Sequence, residues 1–112
     1  MLYTCEMVME QKEFLYKIKK SVIQREPKAE VYLFGSRARN DNRIASDWDI
    51  LILTEKANVT NEVDDNFRDK LYDLELETGE IISILIYPKN YWHSEMQFSP
   101  LYQNIKKEGI RL

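Results

Sequence analysis

Two short stretches hold residues whose types and spacing suit phosphate chemistry. The first is Leu33-Phe34-Gly35-Ser36-Arg37-Ala38-Arg39. An apolar strand-like run leads straight into Gly-Ser and then into helix-compatible residues. Glycine lets the backbone turn tightly and come close to a ligand. Free N–H groups at a helix start, together with the Ser36 hydroxyl, can hold phosphate oxygens. Arg37 and Arg39 can add positive charge to such a cradle. The same residues also suit an ordinary strand-to-helix turn.

The second stretch is Ser46-Asp47-Trp48-Asp49-Ile50-Leu51-Ile52-Leu53. Strand side chains alternate faces, so Asp47 and Asp49 are expected on one face and Trp48, Ile50 and Ile52 on the other. Two like charges beside a buried strand repel each other in low dielectric. A divalent cation offsets that cost, and Mg²⁺ often binds through one or two carboxylates plus substrate phosphates. A strand start with both acids facing water is the simpler alternative. Taken together, a glycine turn ending one strand and an Asp-x-Asp opening the next supply the ingredients of nucleotidyl transfer.

The elements that position these residues alternate between helix and strand. Phe14, Leu15, Ile18, Val22 and Ile23 recur at spacings of three and four, which predicts an amphipathic helix ending near Glu26, before Pro27. Val31 to Phe34, Asp47 to Leu53 and Ile81 to Tyr87 read as strands. Between the last two, Thr60 or Asn61 caps a helix with apolar face Val63, Phe67, Leu71 and Leu74, closed by Gly79. A short helix after Pro88 carries Tyr91, Trp92 and His93. Ser99-Pro100 opens a last helix that ends at Gly109. The expectation is a sheet of at least three strands covered by helices, within one domain spanning 1–112.

Composition narrows the function. The chain has 112 residues, 16 Lys or Arg, 19 Asp or Glu, and a net charge of -3. Residues 1–39 and 81–112 are net basic, while 40–80 hold twelve acids against four basic residues. Mild acidity disfavours duplex nucleic acid as a partner. Cys5 stands alone and can form neither an intrachain disulfide nor a cysteine zinc cluster. No run approaches the roughly 20 apolar residues of a membrane span, and the start is too charged for a signal peptide. A cytoplasmic setting is expected.

The motif pair Gly35-Ser36-Arg37-Ala38-Arg39 and Ser46-Asp47-Trp48-Asp49-Ile50 resembles the signature of the DNA polymerase β-like nucleotidyltransferase superfamily. The closest likeness is to its minimal single-domain members from bacteria and archaea. The resemblance runs from Val31 to Tyr87, and the tail Ser99 to Ile110 is also similar. It implies an α/β (α+β) fold, a small mixed β-sheet flanked by helices. It implies Asp47 and Asp49 as catalytic metal ligands, and Gly35, Ser36, Arg37, Arg39 and Ser46 as nucleotide contacts. Mg²⁺ or Mn²⁺ would be the cofactor, and ATP or another NTP the substrate. AMP transfer to a protein or small acceptor is implied, with a small helical HEPN-type partner (as in toxin–antitoxin pairs) or a homo-oligomer as the assembly.

One departure from that pattern matters. Active relatives place a third carboxylate on a neighbouring strand, here expected within Ile81 to Tyr87. That strand holds no acid, and Ser83 occupies the expected place. Serine is a poor general base, and such help is worth about 10²–10⁴-fold. Glu77 and Glu80 are the nearest substitutes. Two readings therefore stand: a working transferase, or a weakened module that binds nucleotide or a partner.

The remaining features have bland readings. His93 lacks partners for a metal site. Trp48 and Trp92 suit packing better than base stacking. Tyr3, Tyr91 and Tyr102 are candidates for an interaction surface. Lys106, Lys107 and Arg111 suit a helix end. The acids from Glu62 to Glu77 suit a solvated helix face.

Overall fold

The computed structural model describes residues 2–38 and 47–112, with side chains from Gln11 onward. The element order is α1 (Leu2–Arg25), β1 (Glu30–Phe34), α2 (Gly35–Ala38), β2 (Trp48–Thr54), α3 (Asn61–Thr78), β3 (Ile82–Pro88), α4 (Lys89–Ser94), α5 (Pro100–Glu108) and β4 (Ile110–Arg111). The strands form one mixed sheet in the order β3-β2-β1-β4. β1 runs antiparallel to β2 and to β4, while β2 and β3 are parallel. The parallel pair is joined by α3, since parallel neighbours need a crossover and cannot be linked by a hairpin.

The local signals act as the sequence predicts. Thr60 caps α3 by accepting a hydrogen bond from the Val63 amide, and Gly79 closes it at φ 76°. Val63, Phe67, Leu71 and Leu74 are its buried residues. Ser99 caps α5 with Pro100 in its first turn. β2 is the central strand, so Ile50, Leu51, Ile52 and Leu53 are all fully buried. Its even-numbered side chains pack with α1 and α3 in the larger core, around Phe14, Ile18, Val22, Trp48 and Leu71. Leu51 and Leu53 face the other way, into a smaller core with Trp92 of α4 and Ile105 of α5.

β4 lies outside the sequence reading. Two residues carry too little periodicity to register as a strand. They form one because Ile110 pairs with Leu33 and Arg111 with Tyr32, which gives β1 a second neighbour. Glu77 reaches Lys17 on α1 at 3.6 Å, and Arg68 pairs with Asp64 one turn away. Glu62, Asp65, Asp69 and Asp73 are exposed, and Glu75 turns toward the start of β3.

A polar group ties the sheet at the far end. The Tyr32 hydroxyl donates to Glu30 Oε1 at 2.6 Å, and Lys89 lies 3.4 Å from Glu30 Oε2. Burial works to raise the Glu30 pKa, but the Tyr32 hydrogen bond and the charges of Arg111 and Lys89 leave it lowered. Burial, then the Glu30 carboxylate, pushes the Tyr32 pKa up to about 12. A folded-state pKa above the unfolded value of 10.0 favours the native protein while the phenol is neutral. That contribution is complete below pH 10 and is lost as pH rises through about 12. Urea unfolding across this window should show wild-type stability falling more steeply than that of Tyr32→Phe; parallel declines would contradict it.

Candidate functional site

The end of β1, the start of β2 and the start of β3 meet at one edge of the sheet. Asp49 is the register partner of Phe34 on β1 and of Ser83 on β3. It is half-buried, on the same face as Leu51 and Leu53 and opposite to Trp48. Asp47 stands just before β2 and is exposed.

Gly35 begins α2 immediately after β1, at φ 76°. A β-carbon there would lie 2.2 Å from Asp49 Oδ2 and 3.1 Å from its Cγ. Glycine suits the left-handed backbone, and any added β-carbon would force the Asp49 carboxylate packed against it to shift. The glycine turn and the second acid of Asp-x-Asp are therefore in direct contact. Ser36 follows in the same turn and is half-buried.

Arg37 occupies the other side of the turn. Its guanidinium sits over the Trp48 ring, 4.2 Å from the centroid, and 3.8 Å from Glu80 Oε2. The Trp48 indole N–H donates to the same Glu80 oxygen at 3.1 Å. Trp48 also packs against Phe14. Its place is thus in the core with a cation over its outer face, as the packing interpretation expects. Glu80 acts as the clamp that joins the turn to the start of β2, which sequence parity alone did not reveal.

This geometry decides the position of the acids near Ser83. Glu80 is turned to Trp48 and Arg37. Glu77 reaches Lys17, and Glu75 accepts from the Ile82 amide at 2.7 Å. Ser83 is exposed directly beside Asp49 in the register. Among the described residues no group of three or more His, Cys, Asp or Glu gathers to hold a metal. The carboxylates of Asp47 and Asp49 are hard-oxygen donors, a chemistry that suits a divalent ion whose remaining shell phosphate oxygens or water would complete. Arg39 and Ser46, also expected at the nucleotide, lie outside the described residues, and so does the side chain of Cys5.

The other sequence candidates fall elsewhere. His93 is exposed and meets the Tyr102 ring edge-on. Trp92 is buried between Tyr87 and Tyr102. Tyr91 is exposed and stacks on Tyr87. No helix among the described residues is long and apolar enough to cross a membrane.

The family model for the nucleotidyltransferase domain matches residues 15–112. No curated protein and no solved structure matches the chain. The match covers β1 through β4 and thus the whole Gly35–Asp49–Ser83 edge.

The contact between Gly35 and Asp49 has a measurable consequence. Gly79 has the same φ of 76° but nothing within 4 Å of its would-be β-carbon. Gly79→Ala should cost about 1–2 kcal/mol, the ordinary left-handed penalty. Gly35→Ala should cost more, and part of that excess should vanish in an Asp49→Ala background. Urea titration of the four variants measures this. Equal costs at both glycines, or no relief from Asp49→Ala, would show that the carboxylate does not press on the turn.

Proposed function

The chain belongs to the nucleotidyltransferase domain family, whose reaction is the transfer of a nucleoside monophosphate from an NTP; we propose that ATP is the donor here and AMP the group transferred. The acceptor is a protein or small molecule, and a small helical HEPN-type protein, in an antitoxin relationship, is the foremost protein candidate. The reading takes 1–112 as one nucleotidyltransferase domain working in the cytoplasm, alone, with such a partner or as a homo-oligomer.

The observation that carries the reading is the Asp49 carboxylate lodged against Gly35. It sets the Gly-Ser turn, which on this reading cradles phosphate, against a hard-oxygen donor. Gly35 and Ser36 would hold the nucleotide's phosphates through backbone N–H groups and the Ser36 hydroxyl. Arg37, held by Trp48 and Glu80, keeps positive charge beside that turn. Arg39 and Ser46 would add further nucleotide contacts. Asp47 and Asp49 would hold Mg²⁺ or Mn²⁺, which when bound supplies neutralisation of the charge developing on the phosphates. Half-burial of Asp49 strengthens its interaction with a cation relative to a fully solvated acid.

A second reading is favoured by one feature, the pairing of Asp49 with Ser83 rather than with an acid. It holds that the chain binds nucleotide or a partner with little turnover. Transfer of label from α-labelled ATP separates the two: accumulation on an acceptor supports catalysis, and binding without transfer supports the module.

Calorimetry should detect ATP binding that is tighter with Mg²⁺ than without it. Asp49→Asn should remove most of the Mg²⁺ enhancement, by about tenfold or more, while leaving the fold intact by circular dichroism. No binding at millimolar ATP, with and without Mg²⁺, would overturn both readings.

A further inference from the structure

Large apolar side chains stand exposed on the helical layer formed by α1 and α3. Tyr16 on α1 is 63% exposed, and Tyr72 and Leu76 on α3 are 58% and 68% exposed. Leu76 follows Tyr72 by four residues, so the two share one face of α3. That face lies across the helix from the buried stripe of Val63, Phe67, Leu71 and Leu74. Grouped apolar exposure, unlike a single exposed residue, suits a partner surface.

The charges on the two helices are opposite. Among the described side chains, Lys12, Lys19, Lys20 and Arg25 are exposed on α1, against Glu13. On α3, Glu62, Asp65, Asp69, Asp73 and Glu77 are exposed, against Arg68. Arg68 is itself paired with Asp64. The helices lie side by side, with Lys17 3.6 Å from Glu77. A groove of about 320 Å³ runs between them, with Lys20 on its α1 wall and Asp73 on its α3 wall.

Of the assemblies considered above, we infer that two copies of this chain pair through this layer, α1 of each against α3 of the other. One chain carries both halves of the complementarity, which is what a self-complementary two-fold interface needs. A two-fold axis along the groove turns the second copy over and keeps every residue at its height along the helices. Lys17 and Glu77 stand at one height, so Tyr16 of one copy meets Leu76 of its partner. Lys20 and Asp73, which share the groove, meet across the interface in the same way. An axis across the helices would instead stack α1 on α1 and α3 on α3, with like charges facing. Asp49 lies on the other face of the sheet, so pairing covers neither copy's Asp49. Pairing of this kind needs no nucleotide and stands apart from the transfer reading.

Sedimentation equilibrium of the full chain tests the pairing. The wild type is expected to dimerise at micromolar concentration, and added salt should weaken the dimer by screening the facing charges. Asp69→Lys with Asp73→Lys reverses the charge at the centre of α3, and Lys19→Glu with Lys20→Glu reverses it on α1. Each double variant alone should dimerise about tenfold or more weakly than the wild type. An equal mixture of the two should recover a heterodimer, because each reversed helix then meets its opposite. Leu76→Ser should also weaken the dimer while leaving the circular dichroism of the chain unchanged. Folded double variants that dimerise as well as the wild type overturn the pairing, and so does a mixture that recovers no heterodimer. If a double variant is unfolded, Leu76→Ser decides: an undiminished dimer overturns the pairing. A wild type that stays monomeric at several hundred micromolar also overturns it and leaves this face to a different chain.

Discussion

The Asp49 carboxylate occupies the space that any side chain at position 35 would need. That constraint ties three features together. Residue 35 is a glycine, the backbone there turns at a φ of 76°, and the second acid of Asp-x-Asp stands at the end of β1. The antiparallel pairing of β1 with β2 produces this contact, because it sets Phe34 opposite Asp49 and leaves Gly35 as the next residue. The parallel pairing of β2 with β3 then sets Ser83 on the other flank of the same acid. A shift of one residue in either ladder would send Asp49 to the opposite face and dissolve the site.

Burial of β2 makes such a shift costly. Its even positions belong to the core under α1 and α3, and its odd positions beyond Asp49 belong to the core under α4 and α5. Apolar packing on both faces therefore fixes the register that the chemistry requires. Asp49 is the odd position of β2 that stands outside this packing, and Asp47 lies just before the strand. The Glu80 clamp reinforces that edge: one carboxylate receives the Trp48 indole and faces the Arg37 guanidinium, so the turn, β2 and the approach to β3 are held by a single group.

Much of this was legible in the sequence because each signal was local. The spacing of Val63, Phe67, Leu71 and Leu74, capped by Thr60 and closed by Gly79, marks α3 without help from tertiary structure. Ser99-Pro100 does the same for α5. The Gly-Ser turn and Asp-x-Asp are also local, and the expected mixed sheet flanked by helices is the fold observed. What sequence reading missed depends on pairing across the chain. β4 exists only because β1 offers it an edge. The role of Glu80 depends on an indole more than thirty positions away. The resemblance placed a missing acid near Ser83, but only the β2–β3 register sets that serine beside Asp49.

The central claim is that the Gly35–Asp49 edge is where nucleotide and cation meet. Amide relaxation in ¹⁵N-labelled protein, with Mn²⁺ and a non-hydrolysable ATP analogue, tests it most directly. The account predicts enhancement centred on the amides of Gly35, Ser36, Asp49 and Ser83, and weakest at Glu55 and Lys89 at the far end of the sheet. Enhancement centred on the acidic face of α3, or none above that of free Mn²⁺, would contradict it.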